Sequence, residues 1–394
     1  MKIVAAQLFA LRIPFVEAFA HSVRSRTYSD SIVVRLEAED GTVGYGEGVA
    51  RPYVTGETVS SCLSFMQAVL WPAVQQIDYA RPAGGLTDGI NWLDEIVESL
   101  PQAWPDGPKN DSVIAWNAAV AGWELALVDC LLKSAGKSLG EVLPPQRPTV
   151  TYSGVITASD VTQAVKMAKR FKQLGISHVK VKVTGEGDRE RVAAIRDVVG
   201  PAVSLRLDGN GAYTVDSAIA TCQVLSDLAI DSAEQMLPRD PLAALAAVQA
   251  AAPISQMADE SLITFADAKA LIAANACGWF NLRISKCGGL AQTIRLARLA
   301  QTYGIRVQLG CQVGETAILS AAGRHLAAWL PNVEFVEGSY GKLLLSQDIS
   351  RQPIHFGYGG KAPVLTRPGL GMAVQDDLLA TYAHKAVSLE AIAC

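Results

Sequence analysis

No two cysteines in this chain form a CxxC pair. The seven cysteines, at positions 62, 130, 222, 277, 287, 311 and 394, are scattered and odd in number. An odd count without that spacing suggests reduced thiols in a cytoplasmic protein. Charge is scarce as well. Only 18% of residues are charged and the net charge is −4, with an isoelectric point near 5.8. A nucleic-acid binder would carry a basic excess, so none is expected as a partner. No apolar run reaches the roughly 20 residues of a membrane span. The longest, PLAALAAVQAAAPI, is rich in alanine and too short. The opening MKIVAAQLFALRIPFVEAFA imitates a leader, but Arg12, Pro14 and Glu17 interrupt its apolar run. A first β-strand is the expected reading. Phosphate loops are missing too. SGVITASD lacks the glycines of a dinucleotide turn, and AGKS at 135–138 lacks the upstream glycine of a P-loop.

Half of the residues are hydrophobic, which argues against disorder. A chain of 394 residues has room for two domains, one of them large. Residues 1–135 read as an α+β domain. SIVVRLEAED and VGYGEG flank an Asp-Gly hairpin signal, and helical stretches follow at 57–76, 86–99 and 112–134. From 149 the pattern changes. TVTYSGV, HVKVKV, VSLRLDGN, DSAEQM, ISQMADES, FNLRIS, RVQLGCQ and VEFVEGS each read as a strand, with amphipathic helical stretches between them. Eight strands at a period of about 25–30 residues predict a parallel α/β barrel over 149–350. An open doubly wound sheet is the competing architecture. The turn-rich tail, 351–394, is expected to pack back on the first domain.

In a parallel barrel, chemistry sits where strands end. Asp208, Glu234 and Asp259 end three successive strands, with spacings of 26 and 25 residues. Each alone could be a helix cap. Three in register would repel one another unless a hard cation sits between them, and Mg²⁺ prefers oxygen ligands. Mn²⁺ could take its place. Lys180 and Lys182 share one face of the second strand, while Val179, Val181 and Val183 take the other. A second cation and a metal nearby would push a lysine's pKa down, towards that of a general base.

KxK on strand 2, DGN, EQ and DES on strands 3 to 5, and SKCGGL after strand 6 together resemble the enolase superfamily, in its muconate-lactonizing subgroup. GYGEG in the first domain and PGLG in the tail also fit. The resemblance covers essentially the whole chain. It implies a modified (β/α)₇β TIM-type barrel under a capping domain built from both ends of the chain. It implies Mg²⁺ held by Asp208, Glu234 and Asp259, and a small carboxylate substrate that loses its α-proton to give an enediolate. Lys182 matches the family's base, and Lys180 would stabilise the developing charge. By analogy alone, a homo-oligomer is expected.

One position departs from the pattern. The subgroup usually has a second lysine on strand 6, five residues before the Gly-Gly. Here it is Arg283. Alternation places Arg283 and Ser285 on one face and Lys286 on the other. A guanidinium stays protonated and is a poor base, although it can hold a carboxylate. This favours elimination or cycloisomerisation with one base over a two-base racemase or epimerase. A structural ion pair between Arg283 and Asp259 or Glu260 is a further reading. So is a non-catalytic barrel that only binds a ligand. Glu337, at the end of strand 8, could meet a cationic group of the substrate or pair with Lys342. Cap positions His21, Arg24, Arg26, Tyr53 and Thr55 are candidates to line the substrate site. His325 reads as structural.

Overall fold

The alternation on the predicted strands becomes eight parallel strands in the computed structural model. They are Gly154–Ile156, His178–Lys182, Ser204–Asp208, Ile230–Glu234, Gln256–Ala258, Trp279–Leu282, Arg306–Leu309 and Val333–Val336. The structure describes residues 1–21, 24–82, 86–105, 107, 113–352 and 354–390, with backbone only at 18–21, 24, 25, 86 and 87. The strands pair in chain order within a single sheet. A parallel bridge from Tyr152 to Val336 brings the last strand back to the segment entering the first. The sheet is therefore a closed barrel, not the open alternative.

One longer helix lies in each of the seven connections between the strands: Val161–Gln173, Asp188–Val199, Val215–Val224, Leu242–Ala251, Phe265–Ala273, Leu290–Thr302 and Ala317–Trp329. Four of them start directly after a polar residue that serves as cap. The side chains of Asp160, Thr214, Thr264 and Thr316 each accept a bond from an N–H in the first helical turn. TVTYSGV divides in two. Thr149–Thr151 pairs antiparallel with Lys361–Pro363 of the tail, and only Gly154–Ile156 enters the barrel.

The cap sheet runs in the order Ala383–Glu390, Ile3–Leu11, Ile32–Ala38, Val43–Gly48. Both ends of the chain thus build one sheet. Its strand GYGEG lies directly on helix Asn117–Ser134, and the glycines are what allow this. A Cβ on Gly46 would stand 1.9 Å from the Gly122 carbonyl oxygen, and one on Gly48 2.1 Å from that of Ala118.

Two buried glutamates join cap to barrel. Glu47 accepts from Thr316 N–H (3.0 Å), Thr316 hydroxyl (2.8 Å) and Leu319 N–H (3.3 Å), at the start of the last connecting helix. Glu124 accepts from the N–H groups of Leu290 and Ala291 at the start of the preceding one. Those N–H groups have no partner within their own helix, and the helix dipole favours an anion there. Burial nevertheless pushes both carboxyls up to about 7. The second glycine of the Gly-Gly pair, Gly289 at φ +107°, leaves room for this contact, since a Cβ there would lie 1.9 Å from Glu124 Oε2. Among the described residues, no helix is long and apolar enough to cross a membrane, and the described cysteines are free.

Gly46→Ala forces the strand off the helix and should cost about 1–3 kcal/mol, read as a lower urea midpoint at unchanged m-value. His325 is buried in the last connecting helix and sits 3.2 Å from the Leu370 carbonyl of the tail. Burial depresses its pKa to about 4. The unfolded chain, near 6.5, therefore takes up a proton first as pH falls. The stability from neutral His325 is complete above pH 6.5 and is lost on the way down to about 4. Relative to His325→Gln, the wild type should lose about 3 kcal/mol over that window in urea titrations.

Candidate active site

Parallel register sets the height of the site. Lys182 pairs with Asp208 and Asp208 with Glu234. Glu234 pairs with Met257, so Asp259 emerges two residues further along, on the same face. Val179, Val181 and Val183 point the other way and are buried among the helices. The strand-end carboxylates therefore gather at one end of the barrel, as the spacing predicts.

The cationic side chains of the site reach in among them. Lys180 Nζ lies 2.7 Å from Glu337, 3.3 Å from Glu234 and 3.3 Å from Asp208. Lys182 Nζ lies 2.6 Å from Asp208 and also donates to Asn210. Two amides orient Glu234: Asn281 donates to Oε1 at 2.8 Å and Gln308 to Oε2 at 3.0 Å. Burial alone would pull the Lys180 ammonium down, but Glu234, Glu337 and Asp208 outweigh it and hold it well above its ordinary value. Lys180 is thus a charged group packed among three carboxylates. Lys182 stands nearer the mouth, with its side chain 17% exposed.

Arg283 lies just beyond the sixth strand, at the start of the short helix Ile284–Cys287. Its guanidinium pairs with Asp259, stands 3.5 Å from Glu234, and reaches Gln312 at 3.4 Å. Burial opposes its charge, yet Asp259 and Glu234 hold its pKa well above the usual value. The ion pair with Asp259 is therefore formed. Lys286 corrects the alternation argument. Because 284–287 is a helical turn and not strand, Lys286 swings back into the barrel end. There it donates to Asp259 Oδ1 (3.0 Å) and to the carbonyls of Asp259 (2.7 Å) and Asn281 (2.8 Å).

Glu337 does not pair with Lys342. It bonds Lys180 and, at 3.0 Å, Arg206, a buried arginine on the third strand that the sequence reading missed. Alternation would have placed Arg206 on the inner face with Asp208. The cap meets this end of the barrel through the loop after strand 7: Ser29 donates to the Gly314 carbonyl and Arg51 to that of Val313. Tyr53 is 39% exposed and lies under the Arg26 guanidinium at 5.9 Å, while Arg26 pairs with Asp30. Thr55 is buried. The side chains of His21 and Arg24 lie outside the described residues.

Among the described residues, no three acidic, histidine or cysteine side chains already converge on a single point. Lys180 and Arg283 stand between the carboxylates. The donor set nevertheless suits a hard divalent cation, since every candidate ligand is a carboxylate oxygen. Two carboxyls of the cluster are raised, chiefly by burial. Glu234 is pushed up to about 7, first by burial and then by Asp208, Asp259 and Glu337, against the pull of Lys180. Glu260, beside Asp259, is pushed up to about 8 by burial and by Asp259, and its Oε2 is buried without a partner.

The family model described as "Enolase C-terminal domain-like" matches residues 163–378. The L-Lys-D/L-Arg epimerase of Methylococcus capsulatus is 29% identical, covering 95% of this chain and 100% of that protein. The hydrophobic dipeptide epimerase of Enterococcus faecalis is 30% identical, covering 84% of this chain and 89% of that one. Among solved structures, the N-succinyl Arg/Lys racemase of Bacillus cereus superposes with a TM-score of 0.86 at 26% identity, covering 99% of this chain and 100% of that one.

Glu337→Gln strips the nearest partner from Lys180 and leaves Arg206 buried without its ion pair. A loss of about 3–5 kcal/mol in unfolding free energy is expected by urea denaturation.

Proposed function

Since the chain belongs to the enolase superfamily, in its muconate-lactonizing-enzyme-like subgroup, we propose that it removes the proton α to the carboxylate of an amino-acid derivative and returns it with epimerisation. The observation that carries the abstraction step is the cluster of Lys182, Asp208, Glu234 and Asp259 at the ends of four adjacent strands. The relatives named above are epimerases and racemases of dipeptides and N-acylated amino acids, and this supports the net outcome. That moves the preferred outcome away from the elimination or cycloisomerisation favoured by Arg283 alone.

Asp208, Glu234 and Asp259 would hold Mg²⁺. When bound, the ion acts as a Lewis acid on the substrate carboxylate and offsets charge as the enediolate forms. Lys182 Nζ would take the α-proton, because it is the amine nearest the open mouth. Lys180, charged and fixed by three carboxylates, would supply positive potential to the developing oxyanion without moving. Arg283 rises from strand 6, four strands from Lys182 in an eight-stranded ring, and so would face the substrate from across the barrel.

A second reading rests on Arg283. A permanently charged guanidinium is a poor proton carrier for the far face, and one-base elimination or cycloisomerisation needs no such carrier. The two are separated in ²H₂O with Mg²⁺ and a panel of dipeptides and N-acyl amino acids. Epimerisation puts deuterium at the α-carbon of both stereoisomers. Elimination or cycloisomerisation gives a new product without the inverted isomer. A panel with no exchange at all would leave a ligand-binding barrel. Lys182→Ala should lower the exchange rate by about 10²–10⁴-fold, measured by NMR on whichever substrate exchanges.

A further inference from the structure

Gln235 follows Glu234 directly, is 3% exposed, and has its backbone at φ +36°. That region is unfavourable for a residue with a side chain, and it coincides with an unusual set of contacts. Oε1 accepts from the N–H groups of Asp259 (2.9 Å) and Ser261 (3.1 Å). Nε2 donates to the Leu237 carbonyl (2.9 Å) and the Ser261 hydroxyl (2.7 Å). Gln235 N–H donates to the Met257 carbonyl at 2.8 Å. The turn that carries Asp259 therefore hangs from one amide on the neighbouring strand. Lys286 holds the other side of Asp259 through its carbonyl and Oδ1.

We propose that Gln235 is a positioning residue for the divalent-cation site: by binding the N–H groups of Asp259 and Ser261, it fixes the Asp259 carboxylate relative to Glu234 and so sets the affinity for the ion. This rests on the reading of Asp208, Glu234 and Asp259 as its ligands. The physical reason is the rigidity of Mg²⁺, which demands near-octahedral oxygens at a fixed short distance. Glu234 and Asp259 come from different strands, and the pairing register alone leaves the turn after Ala258 free to tilt. The Gln235 amide removes that freedom, because it is joined to one ligand by the chain and to the other by hydrogen bonds.

The probe is Mn²⁺, titrated into the full chain while the electron paramagnetic resonance signal of the free ion is followed. Gln235→Met removes both donor and acceptor, whereas Gln235→Glu keeps the acceptor. Gln235→Met should weaken Mn²⁺ binding by about 10–100-fold, in line with other groups that orient metal ligands. Gln235→Glu should stay within about tenfold of wild type. The Mg²⁺ concentration for half-maximal turnover should rise with the Mn²⁺ dissociation constant, with the rate recovering at saturating Mg²⁺. A folded Gln235→Met that binds Mn²⁺ less than about tenfold more weakly than wild type overturns the proposal. If that variant does not fold, Gln235→Asn decides, because its shorter amide cannot reach the Asp259 and Ser261 N–H groups: Mn²⁺ binding weaker by about tenfold or more supports the proposal, and a smaller loss overturns it. Wild type that binds no Mn²⁺ removes the ligand assignment itself. Wild type that binds Mn²⁺ but exchanges no α-proton removes the reaction and leaves the role of Gln235 intact.

Discussion

Carboxylates buried side by side repel one another, and the rest of this site is arranged around that fact. Asp208, Glu234, Asp259 and Glu337 are all buried at the strand ends of one barrel. Lys180, Lys182, Arg206, Arg283 and Lys286 supply the answering charge within ion-pair distance. In a low-dielectric interior neither set is stable alone. Each carboxylate therefore has at least one cation, and Lys180 serves three carboxylates at once. Burial still raises Glu234 and Glu260.

The division of labour among the lysines follows from depth. Lys180 is sunk among carboxylates and is the more strongly held, so it suits an electrostatic role. Lys182, two residues closer to the mouth on the same face, keeps a partly exposed head and suits proton transfer. Lys286 is deeper still, tied to two carbonyls and Asp259, and suits neither role. Three amines of the same chemistry thus differ in use because their surroundings differ.

The cap is held to the barrel by a mechanism that also explains two glycine motifs. Glu47 and Glu124 satisfy the bare N–H groups of barrel helices from across the domain boundary. GYGEG lets the cap strand sit on its helix, and the Gly-Gly pair lets Glu124 reach the barrel. The motif SKCGGL therefore serves two masters. Its lysine braces Asp259, while its second glycine admits the cap.

Period, alternation and spacing were enough to read the barrel, its strand ends, the face shared by Lys180 and Lys182, and the alignment of Asp208, Glu234 and Asp259. These are local properties, repeated once per βα unit, and a linear chain displays them directly. The direction of Lys286 was not legible, because a single helical turn after strand 6 reverses the face that alternation assigns. The partner of Glu337 was not legible either, since strands 8, 2 and 3 meet only when the barrel closes. The same closure decides which lysine is locked and which is left at the mouth. Charge interactions depend on distance and burial, and both are set by contacts between residues far apart in the chain.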